Sequence, residues 1–77
     1  MESVKKYSYE QLIKKILNRK TRFTSDCEFF PNFDVKGIPI GYYIKNNELL
    51  FKFKTSLGKI IDIGVNMKNL RFELLTK

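Results

Sequence analysis

Apolar and polar residues alternate through much of the second half of the chain, most plainly in ELLFKFKTSLGKIIDI, residues 48–63. Successive side chains of an extended strand point to opposite faces, so a period of two predicts half-buried β-strands. Asn46 and Asn47 tolerate positive φ, and a two-residue hairpin loop there pairs Lys45 with Glu48, Ile44 with Leu49 and Tyr42 with Phe51. This register collects Ile40, Tyr42, Ile44, Leu49, Phe51 and Phe53 on one face, and Tyr43, Lys45, Glu48, Leu50, Lys52 and Lys54 on the other. A slip of one residue would turn every apolar side chain outward, so turn and alternation support each other. A second loop of Ser56, Leu57 and a left-handed Gly58 pairs Phe53 with Ile61 and Phe51 with Ile63, and sets Lys52 opposite Asp62. After a turn at residues 66–69, Leu70, Phe72 and Leu74 alternate with Arg71 and Glu73 in a last strand.

The first part of the chain has a different period. Tyr9, Leu12, Ile13, Ile16 and Leu17 recur at helical spacing and share one face, while Gln11, Lys14, Lys15 and Asn18 fall on the other. Ser8 followed by Gln11 forms a capping-box pattern, with Tyr7 and Leu12 placed as its hydrophobic staple. A helix over residues 9–20 is predicted, and residues 1–6 are expected to fray. The segments combine into an α+β fold: one N-terminal amphipathic helix packed on a single antiparallel β-meander of three to four strands. A small curled β-barrel with an N-terminal helix is the alternative.

Length narrows the choices further. The 77 residues form a single small domain, since a second core would need more chain. Cys27 has no second cysteine with which to form an internal disulfide, and the chain has no histidine, so neither a disulfide nor a His/Cys zinc cluster is expected to staple the fold. No cofactor is predicted. The N-terminal residues lack the apolar segment of a signal peptide, and no stretch approaches the ~20 apolar residues that span a bilayer. A cytoplasmic protein without membrane contact is the expectation.

Charge changes the picture most. Fifteen basic and eight acidic residues give a net charge of +7, a potential that favours polyanions and acidic protein surfaces. The charge is uneven along the chain: Asp26, Glu28 and Asp34 lie in a short acidic, aromatic insert between two basic segments. Lysine is also the ordinary solvating residue of an Ile-, Asn- and Phe-rich chain, so charge alone does not name a partner.

Catalytic chemistry is thinly provided. Without histidine, proton transfer would fall to scattered carboxylates, lysines or tyrosines, and none has a recognisable spacing. The glycines of GIPIG and Gly58-Lys59 do not form a phosphate-binding loop. Asp26 and Glu28 flank Cys27 with negative charge, which opposes a reactive thiolate. No enzymatic activity is expected.

Three surfaces remain as binding candidates. The outward sheet face carries Tyr43, Lys45, Lys52, Lys54 and Arg71, an arrangement in which a ring stacks on a base and cations follow phosphates; cross-strand ion pairs on a solvated face explain the same residues. The helix side with its tail carries Lys5, Lys6, Lys14, Lys15, Arg19, Lys20 and Arg22, which would give sequence-independent phosphate contacts, or simply form its wet side. The insert CEFFPNFD offers Phe29, Phe30 and Phe33, either as a cap on the core or as an exposed aromatic anchor for a protein.

Two functions follow from these surfaces. The first is a small non-enzymatic binding module that takes nucleic acid, DNA or RNA, through its lysine-rich surfaces. The alternative is a small phage- or plasmid-type effector or inhibitor that docks on a larger cellular protein through the aromatic acidic loop. In either case a homodimer formed by edge-strand pairing is open to a sheet of this kind.

Overall fold

The computed structural model describes residues 1–26 and 32–75. Six strands and one α-helix follow the order β1 (Glu2–Ser3), a 3₁₀ turn (Val4–Lys6), α1 (Tyr9–Ile16), β2 (Thr21–Ser25), β3 (Phe33–Lys45), β4 (Glu48–Thr55), β5 (Ile60–Gly64) and β6 (Arg71–Leu74). They make one antiparallel sheet in the order β1-β6-β2-β3-β4-β5, so the fold is α+β and mostly β. Among the described residues no helix is long and apolar enough to cross a membrane.

The three-to-four-strand meander is therefore corrected to six strands, of which only β2 to β5 run as a meander. β6 does not continue beside β5 but pairs with β2 and β1. β1 uses residues expected to fray: Glu2 and Ser3 lie opposite Phe72 and Arg71, and Val4 is buried.

The helix starts where the sequence places it. Ser8 Oγ accepts from Gln11 N at 3.1 Å and Gln11 Oε1 accepts from Ser8 N at 2.9 Å, so the capping box closes in both directions. It ends a turn early: Leu17 turns extended, and Asn18 adopts φ 62° with its N–H donating to Pro39 O at 2.8 Å. That bond gives the chain a tertiary reason to leave the helix, and the residues after it enter β2. Leu12 and Ile16 pack into one core with Val4, Phe23, Leu49, Phe51, Phe53, Ile63, Val65, Leu70 and Phe72. The Phe23 ring meets Phe53 edge-on at 5.3 Å.

Both hairpins keep the expected register, with Lys45↔Glu48, Ile44↔Leu49 and Tyr42↔Phe51 across the first, and Phe53↔Ile61, Lys52↔Asp62 and Phe51↔Ile63 across the second. Asn46 and Asn47 have φ of 52° and 62°, and Gly58 has φ 85°. One half of the expected core face is not covered, however. Leu49, Phe51 and Phe53 are buried, whereas Tyr42 and Ile44 are 48% and 59% exposed; Ile40, 46% exposed, loses its expected place opposite Phe53 to the buried Pro39. β3 pairs with β2 only as far as Gly37 and with β4 from Gly37 onward, and a register shift falls between Pro39 and Gly41. Beyond that point β3 has a strand neighbour on one side only.

Candidate nucleic-acid interface

The face turned away from the core is fixed by the same alternation. Phe51 and Phe53 point inward, so Lys52 and Lys54 point outward, and cross-strand partners share their side. Lys54 stands between Ile38 and Ile60, Lys52 between Gly41 and Asp62, and Arg22 between Lys36 and Glu73. The predicted outer-sheet residues Tyr43, Lys45, Lys52, Lys54 and Arg71 all belong to this face.

Much of the charge on this face is already matched. Lys52 Nζ lies 3.3 Å from Asp62 and 5.2 Å from the centre of the Tyr43 ring, while Tyr43 OH donates to Asp62 Oδ2 at 3.0 Å. Desolvation and this hydrogen bond raise the Tyr43 pKa above its ordinary value, keeping the phenol neutral. Arg22 donates to Asp34 through two parallel bonds, Nε to Oδ1 at 2.8 Å and Nη2 to Oδ2 at 2.7 Å. That hydrogen bonding holds the Asp34 carboxyl below the usual range, with the charges of Arg22 and Lys36 acting in the same direction.

Of the expected helix-side cations only Lys14 and Lys15 belong to α1, which packs on the core face of the sheet; Arg22 is corrected to β2 and the outer face, because the helix ends at Ile16 and the chain enters the sheet at Thr21. Lys14 pairs with Glu10 at 3.3 Å and Lys15 sits 5.3 Å from the centre of the Tyr7 ring. Arg19 lies in the connection from α1 to β2. Phe33 is half-buried and packs against the core. Phe29 and Phe30 lie outside the described residues.

A different set of cations converges where β3 passes from one partner strand to the other. Gly37 is opposite Thr21 of β2 and Thr55 of β4, and a Cβ on it would stand 2.1 Å from the Lys54 carbonyl oxygen. Ser56 N donates to Lys36 O at 2.9 Å and Leu75 N to Lys20 O at 2.8 Å, so four chain segments are tied together at this point. They enclose a groove of about 350 Å³ lined by Lys20, Lys36, Ile38, Lys54 and Leu75, with Gly37, Thr55 and Ser56. Among the described residues none of the three lysines is in an ion pair and no carboxylate lines the groove.

A larger hollow, about 460 Å³, lies further along β2 and β3, with Arg71, Asp26 and Asp34 in its lining. Its two carboxylates make it a poor seat for an anion. Among the described residues no group of three Cys, His, Asp or Glu side chains is placed to hold a metal.

Of the groove lysines, the sequence marks Lys54 on the outer sheet and Lys20 on the basic side of the helix, but does not bring the two together. Lys36 was legible in principle, since Phe33 and Val35 alternate with Asp34 and Lys36. Lys20 has the same parity as Arg22, but this becomes visible only once β2 is known to be a strand. Comparison with known protein families, curated proteins and solved structures finds no match.

Proposed function

We propose that this chain is a small nucleic-acid-binding module that holds a phosphate backbone against the outer face of its sheet, at the groove between Lys20, Lys36 and Lys54. The observation that supports the reading is the contrast in charge matching: Lys52 and Arg22 are ion-paired to carboxylates, whereas among the described residues none of the three groove lysines is, and Asp34, whose carboxylate feels the charge of Lys36, is already bonded by Arg22. Unmatched ammonium groups around one hollow keep a positive potential that fixed carboxylates would cancel, and a phosphate chain that displaces its counterions gains affinity there.

The test is a salt titration of oligonucleotide binding by fluorescence anisotropy. The triple variant Lys20→Gln, Lys36→Gln, Lys54→Gln is compared with a double variant on the helix, Lys14→Gln, Lys15→Gln, after circular dichroism has verified both folds. The triple variant should bind more weakly at low salt, with the slope of log affinity against log salt shallower by about 0.7–0.9 for each phosphate that is no longer neutralised. The helix variant should keep the wild-type slope. Equal binding by triple variant and wild type, or no binding by wild type at low salt, would reject the proposal.

A further inference from the structure

The groove is not a purely ionic surface, and its apolar part has a use only for some nucleic acids. Ile38 and Leu75 stand among the three lysines, with Leu75 left 41% exposed. Ile60, opposite Lys54 on the same face, is 58% exposed, and Leu57 projects from the adjoining β4–β5 loop. A solvated charge cluster needs none of these side chains, and a phosphate cannot make an apolar contact with them. A nucleobase can, because it has a flat apolar face next to its own phosphate.

Resting on the polyanion reading above, we infer that the groove is a seat for single-stranded nucleic acid, in which one unstacked base lies on Ile38 and Leu75 while Lys20, Lys36 and Lys54 take the flanking phosphates. A duplex presents its phosphates with the bases stacked inside, so it would meet the lysines and leave the apolar floor uncovered. A single strand can turn a base out at no pairing cost, and contact with a base face is tolerant of sequence. Gly37 lets the β3 and β4 backbones approach closely here, and this approach brings Ile38 and Lys54 to one spot. The aliphatic floor replaces the aromatic ring commonly used for stacking; Tyr43, the aromatic of the same face, is held by Asp62 and Lys52.

Four probes separate the base from the phosphate: a single-stranded 12-mer, the same strand with abasic sites throughout, the corresponding duplex, and vesicles containing anionic phospholipid. Each is measured with wild type, with Leu75→Ser and with the triple lysine variant. Wild type should prefer the single strand to the abasic strand and the duplex by about five- to tenfold, the size of one apolar base contact. Leu75→Ser should reduce binding of the single strand by a similar factor and leave its salt slope, and binding of the abasic strand, unchanged. The triple lysine variant should lose all nucleic-acid probes together.

Equal affinity for intact strand, abasic strand and duplex, with all three abolished in the triple variant, would overturn the base seat and leave the phosphate reading standing. Binding unaffected by the triple variant would overturn both. Vesicle binding that exceeds nucleic-acid binding and falls in Leu57→Ser would overturn the base seat in favour of a lipid surface, with the exposed leucine entering the interface.

Discussion

Gly37 and Gly64 are both strand glycines, yet they are under very different constraints. A methyl group on Gly37 would press on backbone, the Lys54 carbonyl at 2.1 Å and Thr55 Cα at 2.8 Å, which cannot move without opening the β3–β4 ladder. On Gly64 it would meet the Glu48 carboxylate at 2.6 Å, the free end of a side chain that can swing away. Gly37→Ala should therefore cost about 2–4 kcal/mol and Gly64→Ala within about 0.5 kcal/mol, read from urea midpoints. The first is a large share of the ~4–12 kcal/mol expected for a domain of this length, so Gly37→Ala should also show a thermal transition shifted far down.

The Arg22–Asp34 pair makes acid stability depend on one side chain. Because the folded Asp34 pKa is depressed, its contribution is present above the ordinary carboxylate value, about 3.9, and is lost as pH falls from there through the folded value. The unfolded chain takes up its proton first. Wild type should lose stability between pH ~4 and the depressed folded value more steeply than Asp34→Asn, and the two profiles should converge below it. Urea unfolding at a series of acid pH values measures this; parallel profiles would show that the pair carries no net linkage.

Among the elements, those held by local chemistry were legible. The Ser8–Gln11 box set the first turn of α1, and Ser8→Ala should cost about 1 kcal/mol in thermal denaturation. The Asn46-Asn47 turn set the first hairpin. Both asparagines have positive φ, and Tyr9 OH donates to the backbone carbonyl of Asn47 at 3.2 Å, a bond that any residue at 47 can keep. Asn47→Gly matches the preferred Asn-Gly turn and should raise the melting temperature by a few degrees, about 0.5 kcal/mol. No increase would show that the loop is held by its side chains and not by its backbone.

β2 was hidden for a physical reason. Its inward residues are Thr21, Phe23 and Ser25, so two of its three buried positions are polar. Their hydroxyls are satisfied inside the fold, Thr21 Oγ1 donating to Arg19 O at 2.8 Å and Ser25 Oγ to Lys68 O at 2.8 Å. A strand buried through such bonds leaves no hydrophobic alternation to read. The end of α1 was misplaced for a related reason: the carbonyl that captures Asn18 N belongs to Pro39, twenty-one residues away in the chain.

At the scale of the molecule, the +7 charge is a sum over surfaces that differ in function. Lys52 and Lys54 are two residues apart and look equivalent in sequence, but Lys52 is ion-paired to Asp62 whereas Lys54 is in no ion pair among the described residues. Lys52→Gln should leave oligonucleotide affinity within about twofold, whereas Lys54→Gln should reduce it about threefold or more at moderate salt. Equal losses in anisotropy titrations would make the whole face, and not the groove, the binding surface.

By itself the sequence determined what neighbouring residues can decide among themselves: the helix start, both hairpin turns, their registers and the inward phenylalanines, because capping, turn geometry and a period of two act over a few residues. The tertiary structure decided which strands lie side by side, which apolar residues of β3 stay uncovered and which lysines keep their charge unmatched. Those outcomes depend on contacts between segments far apart in the chain. The return of β6 to β2 and β1, and the passage of β3 from β2 to β4 at Gly37, bring Lys20, Lys36, Lys54 and Leu75 together across more than fifty residues of sequence.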